Sequence, residues 1–128
     1  KADGNITIAG TIIDKAGVRE FTAGGYMYNN VAYNFDITVK NDTGNGTVHH
    51  VDAMMTHAGT SYGCVLNAYA YTRASSVDVQ TDLLNQSNAN AGGWTITKPN
   101  ATTLRITKTA GTYGGAGNYQ LKVITQAP

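Results

Sequence analysis

Ten consecutive residues, Val31-Ala-Tyr-Asn-Phe-Asp-Ile-Thr-Val-Lys40, alternate between apolar and mostly polar positions without a break. Val31, Tyr33, Phe35, Ile37 and Val39 fall on one side, and Ala32, Asn34, Asp36, Thr38 and Lys40 on the other. Only an extended chain sends successive side chains to opposite faces, so the segment is a β-strand with one face in a core and one in water. A helix would spread the five apolar side chains around its circumference. A half-buried strand needs both a sheet to pair with and a second layer to cover it.

The rest of the chain supplies both. Asn5 to Asp14 is rich in Ile and Thr and carries Gly10 midway, a bulge or bend. Thr47 to Thr56 keeps period two with Val51, Ala53 and Met55, and reads as the return strand of a hairpin whose tip is Asn41 to Gly46. Tyr62 to Thr72 is apolar on both faces, as in a central or interface-facing strand. Ser75 to Leu84 alternates like a strand, although Ser76 followed by Asp78 also fits the cap of a helical turn. Asn85 to Gly93 reads as a polar loop. Trp94 to Lys98, Thr102 to Lys108 and Tyr119 to Thr125 close the chain, with Trp94/Ile96, Leu104/Ile106 and Tyr119/Leu121/Val123 facing inward. Pro99-Asn100 and the glycine-rich stretch Gly111 to Gly117 separate these last three, the latter as a loop whose glycines permit positive φ. About eight strands at this spacing predict an all-β, antiparallel β-sandwich of jelly-roll-like type, with little or no helix. The 128 residues suit a single domain over 1–128.

Composition agrees. Eighteen Thr and eight Tyr favour strands, 15 Gly and 12 Asn favour tight turns, and a single Glu leaves little material for an exposed helix. Charged residues make up 13% of the chain against about 25% in an average globular protein. The net charge of +1 leaves no basic footprint for phosphates, so nucleic acid is not an expected partner. No apolar run approaches the roughly 20 residues of a membrane helix, so membrane insertion is not expected either. Cys64 is the only cysteine, excluding an intrachain disulfide, and its neighbours Val65 and Leu66 make it a small buried filler. The chain opens on Lys1 with no signal peptide, which suggests a processed product or a piece of something longer.

Catalytic and metal motifs fail on their own chemistry. Gly59-Thr-Ser-Tyr-Gly63 matches a nucleophile elbow, yet no helix is expected after it, and His49, His50 and His57 all lie upstream of Ser61. On a strand His49 and His50 point to opposite faces, so one metal cannot take both. His50 and Asp52 share a face, but two ligands do not close a site unless copies meet on a symmetry axis. The plain reading is polar strand residues in solvent, with His57 exposed. Asp42 and Asn45 lack the spacing of a calcium loop, and Gly111 to Gly117 lacks the Lys-Ser/Thr of a phosphate loop. Five N-x-S/T sequons, at Asn5, Asn41, Asn45, Asn85 and Asn100, compare with roughly two expected by chance. No pair of carboxylates flanks a cleft, so no enzyme, cofactor or metal is expected.

What remains is an aromatic and amide surface. Gly24-Gly-Tyr-Met-Tyr-Asn-Asn30 sets tyrosines and asparagines beside a flexible glycine pair, and Tyr113 sits at a loop tip. Tyrosine faces stack on sugar rings, while amides and hydroxyls bond their hydroxyl groups. Tyr26, Tyr28, Asn29, Asn30 and Tyr113 are therefore the candidate contact residues.

The closing stretch, Leu104-Arg-Ile-Thr-Lys-Thr-Ala-Gly-Thr-Tyr-Gly-Gly-Ala-Gly-Asn-Tyr-Gln-Leu-Lys-Val123, resembles the ends of bacteriophage tail-fibre and other virion appendage proteins. The shared feature is a Thr-rich strand, a Tyr-Gly-Gly loop and a final strand opened by an aromatic residue. It covers about a sixth of the chain. The resemblance implies a β domain at the C-terminal tip of a trimeric fibre, a fragment of a longer fibre protein assembled in the host cytoplasm. Such tips bind bacterial surface receptors, either glycans or outer-membrane proteins, without catalysis. Two other readings share the composition. A carbohydrate-binding module of a secreted bacterial enzyme would be monomeric and would include Trp94 in its aromatic platform. A purely structural trimerisation domain would bind nothing.

Overall fold

The computed structural model describes residues 5–12, 18–39, 46–73, 76–87 and 90–126. They form ten strands: β1 (Asn5–Ile8), β2 (Thr11–Ile12), β3 (Arg19–Tyr28), β4 (Tyr33–Thr38), β5 (Gly46–His57), β6 (Gly63–Arg73), β7 (Val79–Ser87), β8 (Trp94–Asn100), β9 (Thr103–Lys108) and β10 (Ala116–Gln126). No helix occurs among the described residues. Four strands pair in the order β1-β4-β9-β8 and six in the order β2-β3-β10-β5-β6-β7. Every pairing is antiparallel except that of β1 with β4. The fold is a β-sandwich of two sheets.

The core lies between the sheets and follows the alternation. Tyr33, Phe35, Ile37 and Val39 are buried from one layer, as are Leu104 and Ile106 beside them on β9. From the other layer come Phe21 and Met27, Val51, Ala53 and Met55, Cys64, Leu66 and Ala68, and Tyr119, Leu121 and Val123. The Phe35 ring joins the layers, with its centroid 5.1 Å from that of Tyr119 and 6.1 Å from that of Trp94. Removing such side chains from water is the main stabilising term, about 1.5–3 kcal/mol for each aliphatic or Phe side chain. On the outer face of the four-stranded sheet, Arg105 meets its cross-strand neighbour Asp36 through two bonds of 2.7 and 2.9 Å.

Three features differ from the sequence reading. The expected strand from Asn5 to Asp14 divides: β1 belongs to one sheet and β2 to the other, with Ala9 and Gly10 making the crossing. Gly10 fits there because a β-carbon would run into the Phe21 ring. Residues 19–28, which include the supposed hinge Gly24-Gly25, form the ten-residue strand β3. β4 and β5 are not a hairpin: β4 pairs with β1 and β9, whereas β5 pairs with β10 and β6 in the facing sheet. The expected hairpin tip, apart from Gly46, lies outside the described residues. β7 also runs on to Ser87, into the stretch expected as loop.

Candidate functional site

Tyr26 and Tyr28 stand on the outward face of β3 and are 65% and 59% exposed. Their inward neighbour Met27 anchors the strand in the core. Tyr26 sits opposite Asn118 of β10, and Tyr28 opposite Ala116. The backbone N–H of Tyr28 donates to the Tyr33 hydroxyl at 3.1 Å, tying this end of β3 to the facing sheet. Asn30 follows in an exposed turn.

Asn29 is a correction. It is fully buried, and its side chain is fully occupied. Its amide nitrogen donates to the carbonyls of Asn90 (2.8 Å) and Tyr113 (2.6 Å), and its oxygen accepts from the Lys108 amine at 2.9 Å. Its backbone also bonds Gly115 and Gly111. Asn29 thus pins three loops together and cannot touch a partner. The same network brings the Asn30 turn and the Tyr113 loop to one end of the sandwich.

Tyr113 is 37% exposed, with its ring centroid 4.8 Å from that of His57 and 5.3 Å from that of Tyr62, both edge to face. His57, expected in solvent, is buried beneath these rings, and neither of its ring nitrogens has a hydrogen-bond partner among the described residues. Lys108 is buried as well, donating to Asn29 and to the Thr109 carbonyl at 2.7 Å, and burial pulls its pKa below the ordinary value. None of the glycines in 111–117 has a positive φ, and three of the four serve close approach instead. A β-carbon on Gly111 would overlap the Asn29 amide, on Gly115 the Tyr113 ring, and on Gly117 the Thr56 carbonyl.

At the opposite end His49 is buried, where solvent exposure was expected. One ring nitrogen lies 2.8 Å from the Thr125 hydroxyl and the other 2.9 Å from that of Thr72. Burial, and secondarily the Lys98 charge, lower its pKa to about 4. Lys98 itself crosses from β8 to the other sheet, donating to the carbonyls of Arg73 (3.0 Å) and Ser76 (2.6 Å).

His50 and Asp52 do share the outer face of β5. His50 is 2.8 Å from the Asn67 side-chain oxygen and stacks on Tyr69 at 4.8 Å, while Asp52 lies opposite Lys122 of β10. Among the described residues no group of three or more metal-ligating side chains occurs. Gly59 to Gly63 closes the β5–β6 hairpin, with Gly59 at φ +78° and Ser61 exposed, so the serine sits in a strand-to-strand turn. Cys64 is buried, and that burial raises its pKa. Trp94 is 1% exposed and its indole donates to the Cys64 carbonyl at 3.3 Å, so it belongs to the core and not to a surface platform.

No protein-family model matches the chain, and no curated protein matches it at a significant level. Solved structures with a similar arrangement of strands include two phage tailspikes. The tailspike protein gp49 of Acinetobacter baumannii bacteriophage Fri1, a capsular polysaccharide depolymerase, is 16% identical, with a TM-score of 0.47 over 92% of this chain and 19% of its own. The tailspike of Acinetobacter phage vB_ApiP_P1 is 12% identical, with a TM-score of 0.40 over 82% of this chain and 22% of its own. This chain therefore spans about a fifth of either tailspike. PliG of Salmonella Typhimurium, a periplasmic inhibitor of g-type lysozyme, is 15% identical, with a TM-score of 0.42 over 97% of both chains.

Proposed function

We propose that the chain is a non-catalytic host-attachment module from the tip of a bacteriophage tail fibre, which binds a receptor on the bacterial surface. The observation that carries this reading is the pair of exposed rings, Tyr26 and Tyr28, on one face of a strand in a neutral sheet surface. A soluble domain gains nothing in stability by holding two large aromatic side chains in water, whereas a stacking surface needs them there. Asn30 and Tyr113 are held by the Asn29 network at the end of the sandwich where β3 finishes, and are read as part of the same contact region. The tail-fibre-like ending of the sequence forms most of β9, the Tyr113 loop and most of β10, so the resemblance falls on the loop that carries Tyr113 and on the strand that pairs with β3.

The module is read as a homotrimer, a virion component assembled in the host cytoplasm. Val48 and Tyr71, opposite each other on β5 and β6, are both exposed at the far corner of the sheet and suit contact between copies. With Trp94 in the core, the competing reading as a carbohydrate-binding module of a secreted enzyme loses its distinguishing platform residue. Light scattering combined with staining of bacterial strains by the labelled protein tests the proposal. A trimer that stains at least one strain is expected. A monomer contradicts the fibre reading, and a trimer that stains none favours a purely structural domain.

A further inference from the structure

We infer that the depression at Gly24, on the outer face of the six-stranded sheet, is the seat of a neutral polysaccharide chain, with the Tyr26 ring stacked on one of its sugars. The inference rests on the attachment reading and adds the place and the chemical class of the ligand.

Gly24 is a glycine the fold does not need. Its neighbour Gly25 has φ +146°, which side chains rarely adopt. A β-carbon on Gly63 would lie 2.9 Å from the Met55 carbonyl, and one on Gly117 would overlap that of Thr56. A β-carbon on Gly24 would come no nearer than 3.4 Å to any atom, an ordinary contact, and its φ is not of the left-handed kind. Glycine inside a strand costs about 0.5–1 kcal/mol relative to alanine. The register of β3 with β10 runs through Gly24 without a bulge, and glycine in a strand interior marks a bulge, a bend or a place where something approaches the backbone closely. Nothing within the sandwich does so on the outer side, since Gly24 is exposed.

The strand register shows what surrounds the gap. Across β3, β10 and β5 run three rows: Tyr26, Asn118 and Thr56; Gly24, Gln120 and Met54; and Thr22, Lys122 and Asp52. The missing side chain opens a groove of about 350 Å³ lined by Thr22, Gly24, Asp52, Met54, Gln120 and Lys122. Its volume is within the range of small-ligand sites. Lys122 and Asp52 are direct cross-strand neighbours, so the lining carries both signs and no net charge. That balance suits hydroxyl groups, which both donate and accept, and gives no advantage to an acidic polymer. The exposed Tyr26 ring stands two residues along the strand from Gly24, on the same face. Met54 and Tyr26 are the exposed apolar side chains at the groove, whereas Val48 and Tyr71, read above as a contact between copies, lie toward the other end of β5 and β6.

The test uses an array of immobilised neutral bacterial polysaccharides and oligosaccharides, probed with wild type, Gly24→Thr and Tyr26→Ala. Threonine fills the groove while suiting a strand, so Gly24→Thr should unfold at an equal or higher temperature and lose array binding. Tyr26→Ala should bind about tenfold more weakly. Gly24→Thr binding as well as wild type overturns the inference. So does a wild type that stains bacterial cells but binds no neutral glycan, which leaves the attachment reading standing. A Gly24→Thr variant that dissociates an oligomer instead makes the groove a subunit seam, and the inference falls.

Discussion

Polar residues facing inward close both ends of this sandwich, and each is held differently. His49 is kept neutral between two threonine hydroxyls. Its pKa of about 4 in the fold, against 6.5 as the ordinary value, means that the unfolded chain takes up a proton first as pH falls. The stability contributed by the neutral ring is complete above pH 6.5 and is lost as pH falls through about 4, some ~3 kcal/mol in all. Thermal unfolding between pH 7 and 4 should therefore show a steeper fall for wild type than for His49→Gln, while parallel curves would contradict this. Asn29 and Asn30 give a sharper contrast at the other end. Asn29→Ala removes three hydrogen bonds, leaving the buried Lys108 amine only the Thr109 carbonyl and taking a donor from the Asn90 and Tyr113 carbonyls, and urea unfolding should record a loss of about 2–3 kcal/mol. Asn30→Ala, in an exposed turn, should stay within about 0.5 kcal/mol of wild type. The period-two pattern held the signal for these residues. His49 and His57 share the parity of Val51, Ala53 and Met55, Asn29 that of Met27, and Lys108 that of Leu104 and Ile106. Phase outweighs polarity at these positions, because a strand end buries a polar side chain readily when partners are near.

At the scale of the element, the alternation identified which face of β4, β5, β9 and β10 is buried, and the structure agrees, whereas β6, apolar on both faces, buries only the Cys64, Leu66, Ala68 and Ala70 side fully. It could not identify partners. Residues 31–40 and 47–56 look like the arms of a hairpin, yet two strands that face each other across a sandwich show the same pattern as two that pair within a sheet. β3 escaped notice because Gly24 and Gly25 interrupt its apolar phase and read as a hinge. The crossing at Gly10 also depends on a contact distant in sequence, the Phe21 ring. Gly10→Ala should push that ring out of place and cost about 1–3 kcal/mol in denaturant unfolding, with the all-β circular dichroism spectrum retained. An unchanged stability would mean that the crossing tolerates a side chain and that its geometry is set elsewhere.

For the whole molecule, the scarcity of charge and the abundance of Thr, Asn and Tyr describe a neutral, hydrogen-bonding surface. The titratable groups with resolved shifts include buried members of the scaffold, His49, Cys64 and Lys108, and none of these reaches the Tyr26 face. The candidate surface was partly legible: Tyr26, Tyr28, Asn30 and Tyr113 are exposed, while Asn29 proved to be the clamp that organises them. The groove at Gly24 was not legible, because it exists only once β3, β10 and β5 are placed side by side. The central claim is that the exposed tyrosines of β3 serve a bacterial surface. Flow cytometry of bacterial strains stained with labelled wild type and with the Tyr26→Ala/Tyr28→Ala double variant tests it most directly. The account predicts staining of at least one strain by wild type and its loss in the double variant at an unchanged unfolding temperature. Equal staining by the two proteins would contradict it.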